Sequence, residues 1–454
     1  MTTTSPAAVD QTEAGRTDGS RRLIRTLTLT VFIQWMGASS IIPMLPVYIR
    51  HLGGTDALAG VVMASFFAAG VLSQYPIGRL ADRIGRRPVL IGGLVTYGLA
   101  SFAFLLPITA YAAIVLRSMQ GVGAGAAIVA ALAIVSSSVG ERRRGRAFAA
   151  VYGAELAGMA VGPLVGSIVG IRFMWVMFLA SGILSFAACI PALAIHEGGH
   201  RAAERAARRR PDGTHAPLAR VRVNRSMTGA LICGAALGLS SGVYDICWTL
   251  LLLARGASGL AIGISWTLFA VPFVAVAKPS GWLADHMDRR ILVLAGLGVS
   301  TALCATYPFI HNVPLLVVLG ASEALGFAAA MPAVQSLLTQ GSATSEVGRI
   351  QGIFATSQTA CTAIAAAAAG AAFAVASWLP FVTVAAIVFV GLAVAAVVWR
   401  SVPGRVQHAT VEHARVMPGP APLSGPATTT RHDGRDVPAQ VPEPEPVGAS
   451  AEVQ

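Results

Sequence analysis

Charge is what this chain has least of. Asp, Glu, Lys and Arg make up 12% of its 454 residues, about half the share of a soluble globular domain. That scarcity, with 55% hydrophobic residues and a mean hydropathy of +0.67, excludes an ordinary soluble fold. Lysine is nearly missing: of 33 Lys and Arg side chains, Lys278 is the one lysine. Cysteine is sparse and scattered. Cys189, Cys233, Cys247, Cys304 and Cys361 fall inside apolar stretches without metal-ligand spacing, so they read as small buried apolar residues rather than ligands or a disulfide framework. No nucleophile or metal cluster suggests an enzyme, and no metal or cofactor is expected. No cleavable leader is evident either. The first twenty residues are polar, and the apolar run after them is too long for the core of a signal peptide.

What the chain does have is apolar runs of about 20 residues, the length that crosses a bilayer core. Twelve are expected, near 26–49, 58–77, 89–106, 111–138, 147–170, 173–195, 227–253, 259–283, 291–310, 314–339, 349–375 and 379–399. The fold class is therefore an all-α integral membrane protein. The net charge of +12 could suggest a nucleic-acid partner, but its distribution argues otherwise. Alternate loops carry Arg79, Arg83, Arg86 and Arg87, then Arg142, Arg143, Arg144 and Arg146, then Arg289 and Arg290, then Arg349; the opposite loops hold Arg50, Arg172 and Arg255. The positive-inside rule turns the rich set, and with it both termini, to the cytoplasm. The expected organisation is a disordered tail over 1–21, a six-helix bundle over 22–195, a basic linker over 196–225, a second bundle over 226–400, and a disordered Pro-rich tail over 401–454. The linker is expected to lie on anionic lipid.

The chain repeats itself. Gly78-Arg-Leu-Ala-Asp82-Arg83-Ile-Gly85-Arg86-Arg87-Pro-Val-Leu90 returns in damaged form as Gly281-Trp-Leu-Ala-Asp285-His-Met-Asp-Arg-Arg290, an offset of 203 positions. The register also pairs Gly53 with Gly256, Gly60 with Gly263, Pro76 with Pro279, Gly123 with Gly326, and Gly145-Arg146 with Gly348-Arg349. Six helices repeated is the layout of transporters whose halves rock about a site near the midplane.

Charge inside the expected spans is costly and therefore marks a cavity or a partner. It occurs at Arg117, Glu155, Asp245, Lys278 and Glu323, and the register maps Gln120 onto Glu323. Asp245 and Glu323 are the candidate proton carriers, since a carboxylate held out of water can alternate between a protonated and a cation-bound state. Trp35, Phe66, Tyr244, Trp248 and Trp266 could stack on a substrate or simply pack.

These motifs resemble the major facilitator superfamily over residues 22–400. The loop Gly78–Leu90 is similar to the family's signature between helices 2 and 3. Gly37 with Pro43-Met-Leu-Pro46 in helix 1, Leu116-Arg117 with Gln120-Gly121 and Gly123 in helix 4, and Gly158, Gly162-Pro163 and Gly166 in helix 5 resemble its twelve-helix drug:proton antiporters. Ser167 departs from the pattern, where a second glycine is usual.

The resemblance implies two pseudo-symmetric six-helix bundles, a small-molecule substrate, protons as the driving ion, and a monomer. It implies that Arg117 shares in proton coupling, and that Asp82 faces the start of helix 11 when the cytoplasmic side is closed. It further implies that the helix 5 stripe, with Glu155 on the same face, meets helix 8, where a Glu155–Lys278 pair is expected. Arg83, Arg86 and Arg87 are expected to pair with Glu141 or nearby carboxylates. The reading is efflux of amphipathic small molecules such as antibiotics. Export of one endogenous metabolite, uptake by symport, and a non-transporting sensor follow as alternatives.

Overall fold

The computed structural model describes the backbone of residues 6–139, 141–169, 173–195, 223–342 and 346–403. Side chains are described over the same ranges except 6–20, 137, 141–145, 149, 273–275, 277, 278, 281, 284 and 285. Most of the expected linker, the tail beyond 403, and the side chains of Glu141, Lys278 and Asp285 thus lie outside the described residues.

All twelve expected segments are helical. In chain order they are α1 (Pro6–Ile41, then a tight turn at Ile42–Met44 and Leu45–His51), α2 (Asp56–Ile84), α3 (Arg86–Ala103), α4 (Ala112–Ser138), α5 (Glu141–Val169) and α6 (Met174–Leu193). The second set is α7 (Arg225–Val243, then Tyr244–Trp248 and Thr249–Ala254), α8 (Gly259–Ala275 and Ala277–His286), α9 (Arg289–Thr306), α10 (Val313–Thr339), α11 (Val347–Val375) and α12 (Leu379–Val398). Ten of the described helices are long and apolar enough to cross a membrane. The other two are α3, 18 residues with two arginines at its start, and α8, broken next to Val276. One expectation is corrected: α1 is helical from Pro6, across residues expected as a disordered tail. Hydropathy marks where an apolar stretch begins, whereas proline at the first turn lets the helix itself start earlier.

The 203-residue register is structural. Gly53 and Gly256 both turn the chain at φ 78°, a conformation that favours glycine. The helix caps repeat even where the residue differs. Thr55 accepts from the Leu58 N–H at 3.2 Å and Ser258 from Ala261 at 3.2 Å; Thr109 accepts from Ala112 at 3.2 Å and Asn312 from Leu315 at 2.9 Å. Each supplies a side-chain oxygen to an otherwise unpaired N–H. The register breaks at Gly85. Gly85 sits at φ 110° between α2 and α3, whereas its counterpart Asp288 sits at φ −66° and caps α9 through the Arg290 N–H.

Close packing repeats as well. A Cβ added to Gly93 would stand 2.7 Å from the Gly123 carbonyl oxygen, and one on Gly296 would stand 2.7 Å from that of Gly326. Glycine pairs of this kind let two helix backbones touch. The halves meet in the same matched way. At the α2–α11 crossing a Cβ on Gly60 would lie 2.5 Å from the Ala366 carbonyl oxygen and 3.2 Å from the Gly370 nitrogen. At the α5–α8 crossing a Cβ on Gly263 would lie 2.3 Å from the Ser167 Cβ and 3.0 Å from the Pro163 carbonyl oxygen. Both crossings lie toward the arginine-poor end, where Arg50 also pairs with Asp56. Toward the arginine-rich end, an added Cβ on Gly78, Gly153, Gly348 or Gly352 meets nothing within 4 Å. Among the described residues, the close glycine approaches between the halves lie at the arginine-poor end.

Candidate functional site

α1 and α7 leave regular α-helical geometry at matched positions. In α1, Pro43 and Pro46 remove backbone donors, and the chain tightens over Ile42–Met44. In α7, the 203-shifted stretch Tyr244–Trp248 widens into a π-turn, a local irregularity that re-aims side chains. It carries Tyr244, Asp245 and Trp248, three of the expected site residues.

In the C-terminal half the site is built on Glu323 of α10, which is 1% exposed. The Tyr244 hydroxyl lies 2.8 and 2.9 Å from its two carboxylate oxygens, and the Tyr307 hydroxyl lies 2.6 Å from Oε2. Rings surround the group. Trp248 stands edge-on to Tyr307 with centroids 5.2 Å apart, and Phe269 and Phe381 each lie 6.4 Å from Tyr244. The Trp248 indole N–H donates to Ser265 at 2.9 Å, and Trp266 lies behind it, its N–H 3.4 Å from the Thr249 hydroxyl. A small cavity on the far side of Glu323 is lined by Ser240, Ser300, Thr301 and Phe327.

In the N-terminal half the equivalent place holds Gln120, fully buried, with Arg117 at 2% exposure. Arg117 donates to Gln120 Oε1 at 2.8 Å and points a second nitrogen at the Met63 sulfur at 3.5 Å. Its guanidinium lies over the Phe66 ring at 4.4 Å, a cation–π contact that partly offsets the loss of water. Gln120 donates to Ser101 at 2.9 Å. The register maps Ser101 onto Cys304 and Arg117 onto Gly320. At Gly320 the room of a side chain is taken by the Trp248 ring, 3.2 Å from where a Cβ would be. One half thus buries a cation and the other an anion at related positions. Asp245, half-buried, sits on the α7 turn of the other half.

Several expectations are corrected. The stripe Gly158, Gly162 and Gly166 does not face α8. Added Cβ atoms there would strike α1: the Met36 nitrogen at 2.8 Å, the Met36 carbonyl oxygen at 2.5 Å and the Ser40 carbonyl oxygen at 2.0 Å. The reason is helical phase. Gly158, Gly162 and Gly166 open a groove for the α1 backbone, and the neighbouring stripe Ala160, Pro163 and Ser167 turns to α8. There the Thr267 hydroxyl donates to the Ala160 carbonyl at 2.9 Å. Ser167, which departs from the family pattern, is the residue that Gly263 accommodates. Trp35 packs against Gly158 and lies apart from the Tyr244 group. Arg87 donates to the Leu193 carbonyl at the end of α6 at 2.5 Å, a favourable position for a cation at a helix C-terminus; the Glu141 side chain expected near it lies outside the described residues. Asp82 and Arg83 are exposed and Arg86 is half-buried, at the arginine-rich end. Glu155 is half-buried, but its expected partner Lys278 lies outside the described side chains. Sequence reasoning missed Tyr307, Tyr97 and Met63. Tyr307 corresponds to Phe104 in the register, which offers no polar signal.

The family model of the Major Facilitator Superfamily matches residues 27–244 and 230–434. Among curated proteins, the "Multidrug resistance protein MdtL" of Klebsiella pneumoniae is 25% identical over 63% of this chain and 79% of its own length. The protein of the same name from Shewanella oneidensis is 29% identical over 32% of this chain. A "Chloramphenicol resistance protein" of Pseudomonas aeruginosa is 31% identical over 34% of this chain. The match spans 38% of the length of each of these last two relatives. Among solved structures, a bacterial homologue of the human lysosomal transporter Spinster, in an inward-facing and occupied conformation, superposes with a TM-score of 0.68. It is 12% identical, over 83% of this chain and 96% of that one.

Proposed function

The chain belongs to the major facilitator superfamily, and from that premise we propose that it is a proton-driven exporter of amphipathic small molecules, working by alternating access. The observation that carries the reading is a buried cation, Arg117, in one half and an acid, Asp245, on the irregular turn of α7 in the other. A charge pair split between two moving bodies is made or lost as they move. Proton, substrate and Arg117 then compete for one carboxylate, which ties proton flow to conformation. Glu323, held by neutral hydroxyl donors in an aromatic surround, is the second acid able to carry a proton or receive a polar substrate group. The curated relatives named for multidrug and chloramphenicol resistance support efflux as the direction and drugs as the cargo. By the positive-inside rule the arginine-rich end faces the cytoplasm, with both termini and the 196–225 linker on that side. The chain acts as a monomer of two six-helix bundles.

The test is drug accumulation in cells with and without the protein, in the presence and absence of an uncoupler. Efflux is expected to collapse with the gradient; efflux indifferent to the uncoupler would exclude proton drive. Asp245→Asn and Glu323→Gln are each expected to reduce proton-coupled efflux to the level of cells lacking the protein. Unchanged coupling in both would remove these acids from the mechanism.

A further inference from the structure

Glu323 is buried between two unlike surroundings. On one side the Tyr244 and Tyr307 hydroxyls reach its carboxylate, and the rings of Trp248, Phe269 and Phe381 pack round Tyr244. On the other side lies the small cavity, with room for a guest about the size of one water molecule. Of the side chains lining it, Ser240 of α7 and Phe327 of α10 are half-buried and the rest are buried, so its mouth lies between those two helices. Ser241, next in the chain, is exposed, and polar side chains exposed in the middle of a span face water rather than lipid. Inside, the Ser300 hydroxyl donates to the Gly296 carbonyl at 3.0 Å and the Thr301 hydroxyl to the Leu297 carbonyl at 2.6 Å. With their protons spent on the backbone, both oxygens are left to accept.

The N-terminal half keeps a counterpart. A second small cavity is lined by Gln34, Leu94 and Ala124, which the 203 offset maps onto Leu237, Leu297 and Phe327 of the first. Among the described residues that copy has no acid in its wall, and Gly37 and Gly98 stand at the positions of Ser240 and Thr301. The space is therefore a property of the repeat, whereas Ser240 and Thr301 are particular to the copy whose wall holds a carboxylate. A water molecule suits that lining, because it can accept from Ser240 while donating to Glu323, Ser300 or Thr301. We propose that this cavity is the route by which Glu323 exchanges its proton with solvent, and that Ser240 is the positioning residue that holds the relaying water at its mouth. The proposal rests on the reading of Glu323 as a proton-carrying acid. A proton arriving at the mouth forms an O–H bond on the cavity water as that water gives up one of its own protons to a Glu323 carboxylate oxygen. The carboxylate becomes a neutral acid, the water is left as it was, and release runs the same steps backwards.

The test is infrared spectroscopy of the purified full-length chain in detergent, moved rapidly from ordinary to heavy water. The Glu323 acid is identified as the carboxylic C=O band missing in Glu323→Gln, and the isotope shift of that band gives the exchange rate. Ser240→Thr keeps the hydroxyl, and Ser240→Val has the same shape without it. Exchange is expected to stay near the wild-type rate in Ser240→Thr and to be about tenfold slower in Ser240→Val, as one lost hydrogen bond implies, with equal unfolding temperatures. A rate in Ser240→Val no slower than in Ser240→Thr would overturn the proposal. So would the absence of any Glu323-dependent band at every pH at which the chain stays folded, since Glu323 would then take up no proton. The first failure concerns the path of the proton and leaves the efflux reading standing; the second removes Glu323 as a carrier.

Discussion

At the scale of single residues, the buried acid on α10 has its geometry held by two hydroxyls. Tyr307→Phe removes the 2.6 Å hydrogen bond to Glu323 without changing ring packing against Trp248. Loss of one hydroxyl to a charged acceptor costs about 1.5–3 kcal/mol; a fall in detergent unfolding temperature, absent when Glu323→Gln is already in place, is the expected result. Asp288 behaves oppositely to a buried acid. The Arg290 side chain, donating at 2.6 Å, holds its carboxyl below the usual range. A group whose folded value lies below its unfolded one contributes stability that is present at neutral pH. That contribution is lost as pH falls through the folded value. The unfolding-temperature gap between wild type and Asp288→Asn is therefore expected at pH 7 and should close in acid. Much of this was legible in the amino-acid order. The 203 offset alone pointed from Gln120 to Glu323, and both are buried hubs. Tyr307 was not legible, because repeats keep their glycines and caps, which the backbone demands, and lose side-chain identity where the two halves bury opposite charges.

At the scale of elements, glycine position decides which helices touch. The stripe on α5 was visible as spacing, but spacing identifies a face and not its partner. One helical position separates the groove that receives α1 from the edge that meets α8, a distinction only packing supplies. It makes a contrast measurable. Gly166→Ala puts a methyl 2.0 Å from the Ser40 carbonyl oxygen, against backbone, while Gly78→Ala meets open space. Overpacking of the first kind costs about 1–3 kcal/mol. Gly166→Ala is expected to lower the unfolding temperature, and Gly78→Ala to leave it unchanged in the state closed at the arginine-poor end. Equal effects would mean that the α1–α5 groove relaxes freely. The breaks in α1 and α7 show the same limit on reading. Pro43 and Pro46 announce the first in sequence, whereas no proline or glycine marks Tyr244–Trp248.

At the scale of the whole molecule, the two crossings between halves are copies of one another. Gly60 meets Ala366 and Gly370 as Gly263 meets Pro163 and Ser167. A pair of matched close approaches at one end makes closure there a two-point contact, and both points depend on a missing Cβ. Alternating access requires that these contacts separate in the other state, so a methyl at either point penalises only the state in which they are made. Gly60→Ala, with its Cβ 2.5 Å from the Ala366 carbonyl oxygen, is expected to raise the energy of the closed arginine-poor end by about 1–3 kcal/mol. A penalty of that size moves a two-state balance by roughly tenfold or more. Spin labels at His51 and Val375, exposed positions on opposite halves near that end, read the balance directly. The short-distance population is expected to shrink in Gly60→Ala and again in Gly263→Ala, while unfolding temperature changes little, because each half keeps its own packing. A distance distribution identical to wild type in both variants would mean that the crossings yield locally, and closure would then have to be held by contacts other than these two glycine crossings.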